Sequence, residues 1–520
     1  NHIVIYFEKS RMKAVTMAEA IVSNFFLEKV GKVALTLRSD GLTWEPADHT
    51  PKARLGQSNF LAFKPRPDFS SNIKLRDTYS VEFIGNRFPN GSSSKKLSIN
   101  EELFWFTLRF ARRSHQNSNE LVPCAYSFGH IDSLICRSWV DQLQASIDAQ
   151  EDRPKNVVVF VNPKSGDTKG LKTWQLVYPI FAQSKVKTKV IETQRAGHAF
   201  DVISSCTSDE LNSYDGFICV GGDGFFNEIL NGFLLPRHEP MYPPSSFDNV
   251  EGYDDSERFS YEKFRFGVIP AGSTDALAMC TTGTRDPATC ALLIVLGKRV
   301  RTDIAQIVRW KETSSSETQP CVRYAASFAG YGFYGDVISE SEKHRWMGPK
   351  RYDFAGTKVF MEHRCYEAEV TFLESETKKG NVCRANCDVC GNVETRAGGH
   401  LRKRRAKFIS VGAAIISNRN DRSPDGLVAD AHLCDGFLHL LLIGECSRPQ
   451  YLWHLTQLAR RGGEPLKFEF LEHYKTSAFT FTSIGKESVW NIDGELFPAH
   501  CLSARIFRGL IYMFASGPQI

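Results

Sequence analysis

A glycine-rich turn near the middle of the 520-residue chain carries the residue types best suited to chemistry. Gly221, Gly222, Asp223 and Gly224 follow the apolar run Phe217–Val220, which is predicted to be a buried strand. Glycine has no Cβ, so backbone amides in such a turn can approach phosphate oxygens closely, and the start of a following helix favours negative charge. Asp223 is expected at the carboxyl end of a strand, where open α/β sheets bind their ligands. The alternative is a tight turn that is closed by a capping aspartate.

Alternating strands and helices have to position this turn. Four runs of β-forming residues are predicted to be strands: Val157–Val161, Lys187–Glu192, Phe217–Val220 and Phe266–Pro270. With the helical stretches between them they form a βαβ series, which predicts a doubly wound α/β domain with a parallel sheet over residues 156–305. Residues 236–262 are dense in Pro, Ser, Asp and Glu and are predicted to be a surface insertion.

The part of the chain before this domain has a different pattern. Residues 25–150 contain short alternating runs that predict strands, and then Ile135, Trp139, Leu143 and Ile147 at a spacing of four, which predicts one amphipathic helix. Short strands closed by one helix with a tryptophan resemble a pleckstrin-homology domain. Residues 1–24 are expected to be a disordered N-terminal segment.

The part of the chain after the α/β domain is predicted to be rich in β-strands. Short strand-like runs recur over residues 306–520, and a basic, cysteine-bearing insertion interrupts them at 376–407. The expected architecture is therefore α/β plus β, with an active site in the cleft between the α/β domain and the C-terminal β-rich domain.

The glycine turn, continued by Glu228, Asn231 and Gly232, resembles the nucleotide site of the diacylglycerol and sphingolipid kinase family. Three more loops, at Asn162–Gly166, Thr193–Gly197 and Pro270–Asp275, and the C-terminal Asp-Gly-Glu within Asn491–Glu495 are similar to the family's motifs and occur in the same order. The resemblance implies that the following residues contact the nucleotide: Asn162, Pro163, Lys164, Thr193, Gln194, Arg195, Ala196, Gly197, Glu228, Gly272, Ser273, Thr274, Arg345, Arg351, Asp493, Gly494 and Glu495.

The same resemblance implies a reaction and its participants. ATP, with Mg²⁺ as its cofactor, would donate its γ-phosphate to a primary hydroxyl of a membrane lipid, and Asp223 would accept the hydroxyl proton. The residues expected to bind the lipid substrate are Gly221, Gly222, Asp223, Gly224 and Asp336. Glu228 and the Asp493/Glu495 pair are expected at the ribose, base or metal, without a choice among these.

Two features narrow the resemblance to the ceramide kinases of this family. One is the segment Gly330–Asp336 with the basic and aromatic residues that follow it, and the other is Cys383-x3-Cys387-x2-Cys390. Sphingosine kinases carry a second acidic residue two positions after the equivalent of Asp336, where this chain has Ile338. A carboxylate there would suit a lipid amine, whereas the uncharged amide of ceramide would not repay its desolvation. Diacylglycerol and sphingoid bases are the alternative substrates.

The three cysteines and a basic run near them each allow two interpretations. Cys383, Cys387 and Cys390 are spaced like ligands of a structural metal, and reduced structural thiols are the equal alternative. The run 400–407 has the sequence His-Leu-Arg-Lys-Arg-Arg-Ala-Lys and holds five Lys and Arg residues besides His400. It is expected to be a solvated loop, with attraction to anionic lipid headgroups as the functional alternative.

Charge and hydropathy set the broader class. The 64 Lys and Arg against 59 Asp and Glu give a net charge of +5, which does not support nucleic-acid binding and permits contact with an anionic membrane. No apolar run has the length of a membrane span, so a cytoplasmic protein that associates peripherally with membranes is expected. The rival classes are a kinase for a soluble substrate, since NAD kinases share Gly-Gly-Asp-Gly, and a catalytically inactive membrane-binding scaffold.

Overall fold

The computed structural model describes residues 20–47, 71–86, 102–238, 264–312, 320–375 and 399–517. The chain forms two compact units. The first comprises Asn1–Ala111 and Pro123–Glu151, and the second comprises Arg112–Val122 and Asp152–Ile520. Among the described residues, no helix is long and apolar enough to cross a membrane.

Among the described residues, the N-terminal sheet has seven strands in the order β4-β3-β2-β1-β7-β6-β5. The strands are β1 (Ile21–Leu27), β2 (Gly31–Leu37), β3 (Gly41–Pro46), β4 (Asn72–Lys74), β5 (Thr78–Gly85), β6 (Phe104–Arg113) and β7 (Leu121–His130), with a 3-10 turn at Leu75–Asp77. The first strand begins at Ile21, a few residues before the expected start of this module.

One helix, α1 (Ser133–Asp148), packs on this sheet, as its apolar stripe predicted. The Asp132 carboxylate accepts the Leu134 amide at 2.8 Å and so satisfies one of the free N–H groups of the first turn. Trp139, Leu143 and Ile147 are buried in the core of the module. The order of strands followed by one helix is thus as expected from the sequence.

Four parallel strands form the centre of the second unit and confirm the predicted α/β pattern. They run in the order β11-β10-β8-β9. Their bounds are β8 (Asn156–Val161), β9 (Lys187–Glu192), β10 (Gly216–Gly221) and β11 (Arg265–Pro270). The helices between and after them are α2 (Ser165–Thr168), α3 (Gly170–Gln183), α4 (His198–Ser204), α5 (Ser208–Asn212), α6 (Asp223–Leu234), α7 (Ala276–Thr282) and α8 (Pro287–Val295).

The remaining part of the second unit is rich in strands. These are β12 (Val300–Lys311), β13 (Cys321–Ala325), β14 (Phe328–Gly332), β15 (Tyr366–Ser375), β16 (Gly399–Ala414), β17 (Leu438–Gly444), β18 (Leu471–Thr476), β19 (Ala478–Ile484), β20 (Trp490–Ile492), β21 (Glu495–Phe497) and β22 (Cys501–Met513). The helices are α9 (Phe333–Glu342), the 3-10 segment Arg345–Lys350, α10 (Arg351–Glu362) and α11 (Arg448–Leu458).

In the part of the chain that the structure describes, one 15-stranded sheet joins the two parts that the sequence suggested as separate domains. The last strand, β22, pairs in parallel with β11, where Arg265 faces Tyr512, and antiparallel with β12 and β19. Because hydrogen bonds run on from the parallel strands into the β-rich part, residues 152–520 form one compact unit instead of two.

The basic run at 400–407 lies in strand β16, so the expectation of a loop was wrong. Four of its basic residues form ion pairs. Three pair with carboxylates of the partner strand β15, namely Arg402–Glu374, Lys403–Glu369 at 2.7 Å and Arg405–Glu367 at 3.0 Å, and the fourth, Arg404–Glu472 at 3.0 Å, reaches β18. Cross-strand pairs of opposite charge stabilise a sheet, and here they neutralise most of the run.

Several predicted features lie outside the described residues. They are the first 19 residues, most of the insertion predicted at 236–262, and Cys383, Cys387 and Cys390. The residues on either side of the cysteine-bearing stretch are described: Ser375 and Gly399 face each other in the β15–β16 ladder.

Candidate functional site

A cleft of about 720 Å³ lies at the carboxyl ends of the parallel strands, where ligands bind in open α/β sheets. Three loops that follow β8, β10 and β11 form one wall, and the Thr193–Ala196 segment after β9 forms another. Its lining residues are Asn162, Lys164, Ser165, Gly166, Thr193, Gln194, Arg195, Ala196, Gly222, Gly224, Phe225, Glu228, Gly272, Ser273, Arg345, Gly348, Arg351 and Glu495.

Glycines allow these loops to touch through their backbones. A Cβ on Gly272 would lie 2.5 Å from the Cα of Gly222, and one on Gly166 would lie 2.3 Å from the Ala271 carbonyl oxygen. Real Cβ atoms do not come that close to other heavy atoms, so any larger residue would separate the loops. Gly222 and Gly272, which were predicted for the site, are therefore also required by the packing of one loop against the next, and so is Gly166.

Asp223 is the first residue of α6, and its carboxylate is fixed by a neighbouring helix. Oδ2 accepts the Ala276 amide at 3.0 Å and Oδ1 accepts the Leu277 amide at 2.9 Å, both at the start of α7. Burial raises the pKa of Asp223 to about 6, and the two amide hydrogen bonds oppose this shift. Asp223 thus caps the start of α7 instead of closing its own turn, and it lies between the two cleft-lining glycines Gly222 and Gly224.

A second aspartate shapes the loop after β11. Asp275 is almost fully buried with φ of 52°, and its Oδ1 accepts the Gly272 amide at 2.9 Å. Arg285 donates to Asp275 Oδ2 at 2.8 Å and to the Gly272 carbonyl at 3.1 Å. This clamp holds the loop in the form that contacts Gly222. Asp275 directly follows the predicted Thr274, whereas no local pattern in the sequence pointed to Arg285.

Glu228, predicted at the nucleotide, lines the cleft and also caps a helix. Its Oε1 accepts the amides of Ala199 at 2.8 Å and Phe200 at 3.3 Å at the start of α4. Helix α6 therefore places one carboxylate on α7 and another on α4, and the three helices are held together at the edge of the cleft.

Asp493 does not reach the cleft, although Glu495 beside it does. The Asp493 carboxylate is buried and accepts five hydrogen bonds of 2.6 to 2.9 Å. Their donors are the amides of Ala326, Ser327 and Phe328, the Ser327 hydroxyl and the Asn227 side chain. Asp493 thus anchors the turn that carries Glu495.

Two buried asparagines of α6 belong to the same network. The Asn227 amide group donates to Asp493 and to the Tyr324 carbonyl, at 2.9 and 2.8 Å. Asn231 accepts the Tyr324 amide at 2.8 Å. Both residues stand in the motif that marked the site, so their spacing of four was the available signal. They join the helix that follows the glycine turn to the β-rich part.

Two arginines at the mouth of the cleft share one carboxylate. Arg345 Nε donates to Glu342 Oε2 at 2.5 Å, and Arg351 Nη1 lies 3.4 Å from Glu342 Oε1. The hydrogen bond with Glu342 raises the pKa of Arg345 above its ordinary value. Both arginines line the cleft as predicted, and Glu342 is the residue that orients them.

Asp336, predicted at the lipid, lies near the start of α9 and does not line the cleft. Its Oδ2 accepts the Tyr366 hydroxyl and its Oδ1 accepts the Ser488 hydroxyl, each at 2.6 Å. Two neutral donors therefore hold this carboxylate in place within the described structure.

The predicted residues thus divide into two groups. Fourteen line the cleft, and the following do not: Pro163, Gly197, Gly221, Asp223, Thr274, Asp336, Asp493 and Gly494. Four lining residues were not predicted: Ser165, Gly166, Phe225 and Gly348. Ser165 and Gly166 directly follow the predicted Lys164, whereas Gly348, with φ of 59°, had no signal in its neighbours.

The residues present fit a magnesium ion that arrives with a nucleotide. Mg²⁺ is usually bound by one or two carboxylates together with phosphate oxygens and water. Glu495 lines the cleft, where a Cβ on Gly224 would lie 3.2 Å from its Oε1, and burial raises its pKa. Among the described residues, no three His, Cys, Asp or Glu side chains form a cage that would hold a metal by themselves.

The sequence of this chain matches those of known protein families. Residues 156–307 match the diacylglycerol kinase catalytic domain, and residues 327–488 match the ceramide kinase C-terminal domain. The chain is 47% identical to ceramide kinase of Arabidopsis thaliana, over 95% of this chain and 96% of that protein. It is 42% identical to ceramide kinase of Oryza sativa subsp. japonica (95% and 99%) and 30% identical to that of Homo sapiens (80% and 83%).

The fold and the cleft are therefore those of a lipid kinase of the diacylglycerol kinase class. Within that class, the chain belongs to the ceramide kinase family.

Proposed function

We propose that this chain transfers the γ-phosphate of ATP to the primary hydroxyl of ceramide and forms ceramide 1-phosphate. The observation that carries the proposal is the contact of the glycine loops at Gly222 and Gly272 beside Asp223, in a chain whose relatives are named ceramide kinases. The loop amides and the start of α6 favour an anionic ligand such as a triphosphate.

In this proposal Asp223 is the general base. It removes the hydroxyl proton while the oxygen attacks the γ-phosphorus in line with the leaving diphosphate. The amides of Ala276 and Leu277 fix the orientation of its carboxylate, and its pKa of about 6 keeps it mostly ionised at neutral pH. Arg345 and Arg351 bind phosphate oxygens, since both line the cleft. Glu495 would hold the Mg²⁺ that accompanies ATP, and the ion would supply charge neutralisation on the phosphates.

Ile338 favours a neutral lipid headgroup. It stands two residues after Asp336 on α9, where an acidic side chain would suit a lipid amine. An amide such as that of ceramide pairs with neutral donors and acceptors and needs no opposing charge. For this reason we favour ceramide over sphingosine.

The N-terminal module is proposed to be a pleckstrin-homology-like domain that brings the enzyme to membranes. Its seven strands and single closing helix support this assignment. The enzyme would then act as a cytoplasmic, peripherally bound protein on a substrate that remains in the lipid phase.

A competition between lipid acceptors tests the proposed function. The purified chain is given γ-labelled ATP, Mg²⁺ and short-chain ceramide, sphingosine or diacylglycerol in the same detergent. We expect label in ceramide 1-phosphate with a kcat/KM at least about tenfold above that for the other lipids, which corresponds to about 1.4 kcal/mol of transition-state preference. Preferred labelling of diacylglycerol or sphingosine would refute the ceramide assignment. No labelling of any lipid would favour the rival hypothesis of a catalytically inactive membrane-binding scaffold.

A further inference from the structure

Three elements of the second unit expose large apolar side chains. Trp346 lies in the 3-10 segment with 82% of its surface exposed, Phe354 and Met361 lie on α10, and Leu452 and Trp453 lie on α11. We call these five residues the apolar surface patch. Large exposed apolar groups of this kind mark protein or membrane contacts in water-soluble folds.

Packing contacts connect the elements that carry the patch. Phe354 and Met361 are seven residues apart on α10 and so share a face of that helix. The ring of Phe360 stacks on that of Tyr451, at 6.3 Å between centroids, which joins α10 to α11. At the same junction, Arg448 donates to the Met361 carbonyl at 3.0 Å. Trp346 directly follows Arg345, which lines the cleft, so one end of the patch adjoins the nucleotide site.

The charges around the patch suit an anionic surface. Residues 446–461, which include α11, contain three arginines and no Asp or Glu. The acidic side chains on the outer face of α10 are paired within the protein: Asp353 with Arg422 at 2.9 Å and Glu362 with Arg364 at 2.8 Å. Basic residues beside exposed tryptophan and leucine are typical of helices that lie in a membrane interface.

We propose that the apolar surface patch docks on the anionic leaflet of a lipid bilayer, with Trp453 and Leu452 inserted at headgroup level. Tryptophan suits this depth because its ring has an apolar body and a polar N–H. Docking places the mouth of the cleft against the lipid phase, so that a ceramide headgroup reaches the phosphate without leaving the membrane. This inference rests on the proposed function for the identity of the lipid.

The test replaces residues that lie on α11, outside the cleft lining. The double variant Leu452→Ala/Trp453→Ala of the full chain is compared with the parent for partitioning to vesicles of phosphatidylcholine and phosphatidylserine that contain long-chain ceramide. We expect partitioning to weaken about tenfold or more, since two large apolar side chains no longer enter the bilayer. Phosphorylation of vesicle ceramide should fall by a similar factor, while activity on short-chain ceramide in detergent stays within about twofold.

A matched control separates the patch from general surface hydrophobicity. Leu176 on α3 is 68% exposed, and Leu176→Ala should leave vesicle partitioning unchanged. Equal partitioning of the parent and the double variant, or an equal loss in Leu176→Ala, would overturn the proposal. Unchanged partitioning together with altered sedimentation would assign the patch to a protein contact instead and would equally overturn it.

A second measurement does not depend on activity. Phospholipids brominated in their acyl chains should quench part of the tryptophan emission of the parent, and this quenched part should shrink in Trp453→Phe, which keeps an aromatic ring. Quenching identical in both proteins would contradict insertion of Trp453. If the parent fails to phosphorylate short-chain ceramide, the proposed function fails, while the vesicle and quenching results still decide the docking surface.

Discussion

At the scale of single residues, the carboxylates of Asp223 and Asp493 differ in the number of hydrogen bonds that they accept. Asp223 accepts two backbone amides and lies between glycines of the cleft, whereas Asp493 accepts five hydrogen bonds in the interior. A carboxylate with that many buried donors is fully occupied, since each oxygen takes two to three of them. The first arrangement suits proton transfer, and the second suits anchoring of a turn.

Substitution of Asp223 tests its role as the base. Asp223→Asn should keep ATP binding and lower turnover by roughly 10²–10⁴, the usual contribution of a positioned base. Circular dichroism and calorimetric ATP titration serve as controls, because asparagine can accept the amides of α7 through one oxygen only. Phosphorylation at a near-normal rate by a folded variant would exclude Asp223 as the base.

The pKa of Asp223 predicts the pH dependence of catalysis. Since burial raises it from 3.8 to about 6, the base becomes protonated below about pH 6, and kcat/KM should fall about tenfold per pH unit there. The effect on stability has the opposite sign. Protonation of this group favours the folded state below pH 4, and that contribution is lost as the pH rises through 6. A pH profile that stays flat between pH 7 and 5, with ellipticity constant, would contradict the assignment.

A pair of variants distinguishes the roles of Asp493 and Glu495, the two acidic residues of the Asp-Gly-Glu motif. Asp493→Asn replaces an acceptor by a donor against buried amides and should lower the free energy of unfolding by about 2–4 kcal/mol. Glu495 lines the cleft, so Glu495→Gln should keep the free energy of unfolding within about 0.5 kcal/mol of the parent value and should weaken Mg²⁺-dependent ATP binding. Urea unfolding and ATP titration measure both quantities. A stable Asp493→Asn variant with impaired ATP binding would restore the nucleotide role expected from the sequence.

At the scale of elements, α6 organises the site because its polar residues reach in three directions. Asp223 caps α7, Glu228 caps α4, and Asn227 binds Asp493 and the Tyr324 carbonyl. Each contact satisfies backbone groups that the start of a helix or a turn would otherwise leave without a partner. One helix thereby fixes the loops of the parallel sheet and the turn that carries Glu495.

Contact between loops makes Gly272 a sensitive position. In Gly272→Ala the new Cβ overlaps Gly222 Cα, so the loops must separate, and turnover should fall about a hundredfold with weaker ATP binding. Gly356→Ala is the matched control, because its Cβ meets nothing within 4 Å and it lies inside helix α10. This control should be fully active and more stable by about 0.5–1 kcal/mol. Equal activity in the two variants would show that loop contact does not limit catalysis.

At the scale of the whole molecule, the catalytic unit is built on one sheet that crosses the expected domain border. Strand β22 returns from the end of the chain to pair beside β11. The cleft is therefore a feature of one compact unit, and the distance between its walls is set by sheet pairing. The cysteine-bearing insertion starts and ends at paired residues of β15 and β16, so it interrupts the sequence and not the sheet.

The cysteine cluster remains a prediction that metal analysis can test. If Cys383, Cys387 and Cys390 are ligands, the purified protein should contain about one zinc or iron per chain. Cys387→Ala should lose the metal and unfold at a lower temperature, because metal binding contributes to folding. The matched control is Cys321→Ala, a half-buried cysteine elsewhere in the same unit. Metal-free protein with full activity would favour reduced structural thiols.

The sequence by itself determined the parallel strands, the phosphate-side loops and most of the residues that line the cleft. These features depend on short-range patterns, namely buried β-branched runs and glycines at strand ends, which are legible in one segment at a time. The tertiary structure alone decided what each carboxylate binds. Asp493 and Glu495 are two residues apart, yet one is buried beneath amides of β14 and its preceding turn and the other lines the cleft. It also decided that the basic run at 400–407 is a strand, since the acidic residues that neutralise it come from β15 and β18. Contacts of this kind join positions far apart in the chain, and no local pattern records them.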